Sequence, residues 1–230
     1  MSIKKPSRRS FLKTSATGAA AVAASSTLGA LRAASPVHQG GGKLKVGIVG
    51  VGGRGSGAAV QAIMADKENV LYAAGDAFAD RLEGGLASIQ QTAVSAERGD
   101  QFDVPLDRRF VGLDAIDKVL ATGVDVILLA TPPGFRPMQI ERAVDKGVHV
   151  FAEKPVAVDA PGIRRVEAAC AKAKKNGISV VSGLCYRYHD GRRAVVEKLQ
   201  EGAVGEILTI RGNYITGELW FRKVEDHWND

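Results

Sequence analysis

A glycine-rich turn near the start of the chain has the residue types and spacing that bind a diphosphate. It fits the pattern G-x-G-x-x-G with the residues Gly50-Val51-Gly52-Gly53-Arg54-Gly55. In this pattern the first glycine permits a tight turn, the second lets the backbone approach the pyrophosphate, and the third lets the following helix pack closely on its strand. Amides at the helix N-terminus then face the phosphates, and Arg54 adds positive charge.

The surroundings of the turn support binding of a whole dinucleotide. The turn follows an apolar run, Leu44 to Val49, and precedes a helix-prone segment and a second apolar run, Val70 to Ala74. Asp76 closes that second run about 20 residues after the turn, where the acid that binds the adenosine ribose is expected. A carboxylate accepts hydrogen bonds from a ribose 2′-hydroxyl and repels a 2′-phosphate, so Asp76 favours NAD, whereas Arg81 would admit NADP. The alternative is a glycine-rich turn kept only for packing.

Two further motifs follow apolar runs, at the strand ends where open α/β sheets bind ligands. Thr131-Pro132 comes after the run Val124 to Ala130, and Glu153-Lys154-Pro155 comes after the run Val148 to Ala152. A lysine at such a strand end can polarise a substrate oxygen while a hydride moves at the neighbouring carbon. Taken alone, Lys154 is more often only a solvated lysine.

Together, the turn and these motifs resemble the glucose–fructose oxidoreductase/inositol dehydrogenase (Gfo/Idh/MocA) family, from about Lys43 to Trp220. The Glu-Lys-Pro tripeptide is the most specific mark of the resemblance. The resemblance implies that the turn holds the pyrophosphate. The other residues that it assigns to the cofactor are Asp76 at the adenosine ribose, Thr131 and Pro132 at the nicotinamide, Glu153 at the nicotinamide ribose, and Arg187.

The resemblance also implies which groups act on the substrate. Lys154 would be the catalytic residue that reaches the substrate hydroxyl or carbonyl. The family commonly has a histidine in the loop after Thr131-Pro132, but here that loop contains Arg136, which is predicted to bind an anionic or polyhydroxyl group. His189 is the second predicted substrate contact.

Strands and helices alternate along the body of the chain, and this alternation predicts how the motifs are positioned. Apolar runs predict six strands, at residues 44–49, 70–74, 124–130, 148–152, 179–184 and 207–214. The predicted helices are at residues 58–65, 79–91, 113–121, 137–146 and 192–200, with a long helix that Asp159 caps and that runs to Lys175. The pattern predicts an α/β fold, a doubly wound parallel Rossmann sheet over residues 43–184.

Residues 185–230 are predicted to begin a second, α+β domain that is incomplete. They supply too few strands for a stable sheet, whereas the second domain of the family is a large, mostly antiparallel sheet. We therefore expect a truncated product or a fragment, for which nucleotide binding is a safer prediction than turnover. Poor solubility is expected because residues 207–210 would form an unpaired edge. A homo-oligomer is expected only with a complete second domain.

The first 34 residues are predicted to be an export signal. Arg8-Arg9 precedes Phe11-Leu12, as in a twin-arginine (Tat) signal, and the mildly apolar run that follows is too weak for a stable membrane span. The alternative is a disordered basic arm. Residues 35–42 would be a linker. Because the Tat route carries folded proteins, the nucleotide would be bound before export to the periplasm.

Charge and cysteine content exclude other classes. The net charge is +6, but six of the 31 basic residues and no acidic residue lie in the first 34 positions, so the body is neutral. A basic face, the usual footprint of nucleic-acid binding, is therefore not expected. Cys170 and Cys185 are the only cysteines, and they fit no metal pattern. They are predicted to be buried thiols, with a single disulfide as the alternative in an exported protein.

These features favour a nicotinamide-dependent oxidoreductase that acts on a sugar or cyclitol. The cofactor, NAD or less favourably NADP, would be retained and recycled, since little free NAD is available outside the cytoplasm. One alternative is an NAD-dependent, redox-neutral glycosidase of the same family. The other is a non-catalytic nucleotide-binding fragment.

Overall fold

The computed structural model describes residues 43–218, and internal contacts divide the chain into two units after Leu184. The first unit contains a sheet of six strands in the order β3-β2-β1-β4-β5-β6, and every pair is parallel. The strands are β1 (Leu44–Val49), β2 (Asn69–Asp76), β3 (Arg109–Val111), β4 (Val126–Leu129), β5 (His149–Ala152) and β6 (Val180–Ser182). This is the order of a dinucleotide-binding doubly wound sheet, so the predicted fold class is confirmed.

Five helices cover the two faces of this sheet. They are α1 (Gly53–Ala65), α2 (Ala79–Ser95), α3 (Ala115–Ala121), α4 (Arg136–Asp145) and α5 (Ala160–Lys175). One apolar layer joins α1 and α2 to residues such as Ile48 and Leu71, and a second joins α3, α4 and α5 to residues such as Ile127 and Val150. Strands buried on both faces must be apolar almost throughout, which is why continuous apolar runs identified them.

The helices begin and end close to the predicted positions, with reasons visible in the side chains. The carboxylate of Asp159 accepts a hydrogen bond from the amide of Gly162 at 2.7 Å, which confirms the predicted cap of α5. Helix α1 begins at Gly53, within the glycine turn and earlier than predicted. Strand β3 was missed because it has only three residues, and it exists through its pairing with β2 rather than through an apolar run of its own.

The second unit begins with a 3-10 turn, Cys185–Tyr188, followed by α6 (Asp190–Gln200). The strand predicted at residues 207–214 is wrong, because this stretch forms no regular structure and pairs with no described strand. Ile210 and Tyr214 are more than 80% exposed. A strand is stable only when its backbone groups bond to a neighbouring strand, and apolar residues alone do not supply one.

The structure also bears on the predicted burial of the two cysteines and on the presence of membrane-spanning helices. Both cysteines are free, but Cys185 is exposed and Cys170 is only partly buried, so the prediction of two buried thiols is wrong. Burial is still sufficient to raise the pKa of the Cys170 thiol. Among the helices of residues 43–218, none combines the length and apolar character required to cross a membrane.

Candidate functional site

The candidate site lies at the carboxyl edge of the sheet, where β1 and β4 are neighbours. The chain leaves β1 into α1 on one face, and it leaves β4 towards α4 on the other. Such a reversal opens a crevice beyond the strand ends. Gly50 follows β1 with φ of +90°, and a side-chain Cβ there would lie 2.7 Å from the amide nitrogen of Thr131 after β4. The turn and Thr131 are therefore in direct contact across the switch point.

The glycine turn has a packed side and an open side. A Cβ on Gly55 would lie 1.8 Å from the carbonyl oxygen of Gly50, so α1 can begin this close to β1 only with glycine there. Cβ atoms on Gly52 and Gly53, in contrast, would have no neighbouring atom within 4 Å. The backbone at Gly52 and Gly53 is thus open to a ligand at the N-terminus of a helix, where a diphosphate is favoured. These residues fit the diphosphate of a nicotinamide dinucleotide.

Asp76 lies next to the turn at the carboxyl end of β2 and is buried. Its Oδ2 accepts a hydrogen bond from the amide of Val51 at 2.7 Å, and its Oδ1 accepts one from the amide of Phe78 at 3.1 Å. These bonds fix the carboxylate, and each oxygen retains a lone pair for a further donor. A ribose hydroxyl supplies such a donor, whereas a phosphate does not.

A cleft of about 540 Å³ continues from the turn between α1 and α2. Arg81 lines it with its side chain 56% exposed, and among residues 43–218 its charged partner is Asp80, at a long 3.8 Å. Gly85 closes one wall, because a Cβ there would lie 2.1 Å from the carbonyl oxygen of Val51. Arg81 is therefore available to a ligand. The absence of a side chain at Gly85 lets α2 pack directly against the backbone of the glycine turn.

The Glu-Lys-Pro motif follows β5 and combines a buried acid with an exposed base. The amide of Glu153 donates to the carbonyl of Leu129 in β4 at 2.9 Å, so the sheet ladder extends to this residue. The Glu153 side chain is 7% exposed, while Lys154 is exposed. Nε of Arg54 donates to Oε1 of Glu153 at 2.8 Å, and Nη2 lies 2.6 Å from the same oxygen in an ion pair. An ion pair thus connects the glycine turn with the Glu-Lys-Pro motif.

Arg136, at the start of α4, is 5% exposed and lies beneath the same motif. Its Nη1 donates to the carbonyl of Glu153 at 2.8 Å and to the carbonyl of Pro155. Its Nε is buried and has no hydrogen-bond partner among the residues that the structure describes. Burial lowers the pKa of Arg136, and the charge of Glu153 partly offsets that effect. This placement favours a role in holding the motif, and direct contact of Arg136 with a substrate stays a prediction.

The remaining predicted site residues are more scattered. Thr131 is partly buried and donates from Oγ1 to Oε1 of Gln139 at 2.6 Å, and Pro132 beside it is exposed. Arg187 and His189 belong to the second unit. There His189 precedes α6, and its Nδ1 accepts a 3.4 Å hydrogen bond from the amide of Arg192, so it serves as a helix cap.

Two residues of the site escaped the sequence analysis. No role was predicted for Gly85, although the adjacent glycines Gly84 and Gly85 inside a helix can signal close backbone approach. Gly183 lies against Glu153, since a Cβ there would be 3.1–3.2 Å from its carboxyl atoms. No signal in the sequence connects Gly183 with Glu153. Within residues 43–218 no group of three or more potential metal ligands occurs.

Comparison with known proteins places these features in a family context. Residues 44–181 match the family model GFO_IDH_MocA, described as an oxidoreductase family with an NAD-binding Rossmann fold. Residues 5–25 match the model of the twin-arginine translocation signal, which confirms the predicted export signal.

Individual relatives and solved structures share part of their length with this chain. Inositol 2-dehydrogenase 4 of Saccharopolyspora erythraea is 27% identical over 166 residues, which are 72% of this chain and 44% of that protein. Scyllo-inositol dehydrogenase of Lactobacillus casei, solved with NAD(H) and scyllo-inositol, is 25% identical with a TM-score of 0.55, over 71% of this chain and 43% of that one. A 3-ketoreductase of Actinomadura kijaniata, solved with TDP-benzene and NADP, is 25% identical with a TM-score of 0.52, over 71% of this chain and 45% of that one. The chain spans less than half the length of these relatives.

Proposed function

This chain belongs to the Gfo/Idh/MocA oxidoreductase family, and we propose that the protein is a nicotinamide-dependent oxidoreductase acting on a sugar or cyclitol. Residues 43–184 are its nucleotide-binding domain, and residues 185–230 begin its substrate domain. Two of the similar proteins are inositol dehydrogenases, and the third is a ketoreductase. All three names denote redox reactions between a hydroxyl and a carbonyl group, which is the reaction class proposed here.

The position of Lys154 is the observation that carries this proposal. It is exposed at the carboxyl end of β5, directly after a buried carboxylate and two strands from the glycine turn. A dinucleotide with its diphosphate at the turn and its adenosine at Asp76 extends its other half towards β4 and β5. The exposed amine of Lys154 is therefore on the side where the reactive half of the cofactor is expected.

The chemistry requires one hydride transfer and one proton transfer. A nicotinamide dinucleotide held by the glycine turn and Asp76 would supply the hydride acceptor for the substrate carbinol carbon. The loss of that hydride from carbon, together with the hydroxyl proton, would convert the hydroxyl group to a carbonyl. In the direction of oxidation Lys154 takes up the hydroxyl proton, and in the reverse reaction it returns that proton to the oxygen. Asp76 favours NAD over NADP, since its fixed carboxylate repels a 2′-phosphate, while the exposed Arg81 leaves NADP as a weaker ligand.

The export signal adds a constraint on the cofactor. A Tat signal indicates export, and we propose the periplasm as the destination. Because free NAD is scarce there, the cofactor would be carried out bound, and the oxidation of one sugar would be coupled to the reduction of another in the same site. The same argument favours a second candidate, a redox-neutral glycosidase that oxidises a sugar, eliminates the aglycone and reduces the product again.

Absorbance spectroscopy of the purified 230-residue protein tests this proposal. We expect a nicotinamide nucleotide that co-purifies or binds when added, and reduction of the bound cofactor by one or more compounds in a panel of aldoses and cyclitols. Protein that binds no nicotinamide nucleotide would contradict the proposal. Release of nitrophenol from a nitrophenyl glycoside, with no net turnover of NAD, would identify the glycosidase instead.

A lysine pair separates catalysis from binding. Lys154→Ala should lower the rate of cofactor reduction about 100-fold or more, as the loss of a general acid–base group does, with little change in NAD affinity. Lys146→Ala is the matched control, because Lys146 is an exposed lysine at the far end of α4. Equal rates in the two variants would remove Lys154 from the mechanism.

A further inference from the structure

The guanidinium of Arg54 contacts side chains that lie outside the glycine turn. Arg54 is the second residue of α1, and its nitrogens contact only two side chains in the part of the chain that the structure describes. Nε donates to Oε1 of Glu153, and Nη2 forms an ion pair with the same oxygen. Nη1 and Nη2 also donate at 3.4 Å to Oε1 of Gln61, farther along the same helix. The side chain thus lies beside α1 and reaches towards β5.

Glu153 needs such a partner because of where its carboxylate lies. The side chain is 7% exposed, and Gly183 packs against the carboxyl group from the neighbouring strand end. A carboxylate with so little solvent is stable only with charged or hydrogen-bonding partners. Arg136 binds the main-chain carbonyl of Glu153, so Arg54 is the cation that bonds directly to the carboxylate among the described residues.

The order of the strands determines which part of a dinucleotide this pair meets. Asp76 ends β2, the glycine turn follows β1, and Glu153 follows β5, so the three lie in this order along the edge β2-β1-β4-β5. A ligand with adenosine at Asp76 and diphosphate at the turn reaches Glu153 only with its second nucleoside. The two residues of the pair are 99 positions apart in sequence and join the two halves of the site.

We propose that Arg54 is a positioning residue for Glu153 and contributes to the second-nucleoside half of the site rather than to the diphosphate. The proposal rests on the dinucleotide-binding function proposed above. It separates Arg54 from the open backbone of Gly52 and Gly53, which binds the diphosphate without help from this side chain. It also makes Arg54 one side of a subsite whose other members are Glu153 and Gly183.

Binding of ADP and of NAD to the same variants distinguishes the two roles, and isothermal titration of the full 230-residue chain measures both. ADP contains the adenosine and the diphosphate but no second nucleoside. Arg54→Met should weaken NAD binding about tenfold, since a charge-assisted contact to a buried acid is lost, and should change ADP binding less than twofold. Equal weakening of ADP and NAD would assign Arg54 to the diphosphate and overturn the proposal. Wild-type protein that binds neither nucleotide would overturn the dinucleotide-binding function itself.

A double-mutant cycle tests whether Arg54 acts through Glu153. If it does, Arg54→Met should add less than twofold to the loss of NAD affinity caused by Glu153→Gln. Two fully multiplicative losses would overturn the proposal. Arg54→Lys should stay within about threefold of wild type, because an ammonium retains one charged bond to Oε1.

An arginine of the adenosine half serves as the control. Arg81→Met removes a similarly exposed arginine from the cleft between α1 and α2, next to the glycine turn. Any loss of affinity caused by this change should be the same for ADP and NAD. Equal losses are the result expected for a residue that contacts the adenosine or the diphosphate. Thermal unfolding shows whether each variant is folded under the conditions of the titration. If Arg54→Met weakens ADP and NAD binding equally, as expected for Arg81→Met, the proposal is overturned.

Discussion

The glycine turn and the Glu-Lys-Pro motif are both ligand-binding strand ends, but they are held in place in different ways. The packing that shapes the turn is local, since Gly55 contacts Gly50 and Ser56 bonds to Val51. The Glu-Lys-Pro motif depends on distant residues, with Arg136 beneath its backbone and Arg54 on its acid. A motif of the first kind can be recognised from a short stretch of sequence. For a motif of the second kind, the sequence identifies the motif itself but not the distant residues that hold it in place.

The largest effect is expected at the local motif. A Cβ at position 55 would lie 1.8 Å from the Gly50 carbonyl oxygen, so Gly55→Ala must displace backbone. We expect a loss of more than about 4 kcal/mol in the free energy of unfolding, or no folded protein. Gly53→Ala is the control, because its Cβ meets open space and alanine is favoured in helices. Urea denaturation measures both, and similar stability of the two variants would mean that the turn is not packed as described.

The second effect tests the long-range support of the other motif. Arg136→Met removes the bonds to the carbonyls of Glu153 and Pro155 and leaves these groups without their partner. We expect a loss of about 2–4 kcal/mol in the free energy of unfolding. Arg142→Met, on the same helix, breaks only a half-exposed pair with Asp117 and should lose less than about 1 kcal/mol. If the two variants are equally stable in urea, the hydrogen bonds from Arg136 are not what holds the Glu-Lys-Pro motif in place.

The smallest effect concerns the fit around Glu153. Gly183→Ala places a Cβ 3.1–3.2 Å from the carboxyl atoms, so the carboxylate must shift by a few tenths of an ångström. We expect the dissociation constant for NAD to rise about threefold, because catalytic and binding groups tolerate only small displacements, while that for ADP stays unchanged. Titration calorimetry provides both constants. A parallel change in ADP and NAD would show that the shift spreads to the glycine turn.

Much of the first unit could be predicted from the sequence because its determinants are local. Apolar runs identified five of the six sheet strands, and Asp159 identified the start of α5. The glycine spacing and Asp76 located the turn and its acid at neighbouring strand ends. Strand β3 was missed because it is defined by its neighbour β2. The strand predicted at residues 207–214 was wrong for the complementary reason, since an apolar run without a partner in the described structure remains irregular.

The sequence by itself determined the fold class, the family and the residues at the strand ends. Each of these follows from chain-local patterns of apolar runs, glycine spacing and a tripeptide. Only the tertiary structure decided how those residues are combined. It directed Arg54 to Glu153, placed Arg136 beneath Glu-Lys-Pro and set Gly183 against the acid. The physical reason is that a buried charge must find its partner in space, and the strand order of the sheet, not distance along the chain, determines which partner is near.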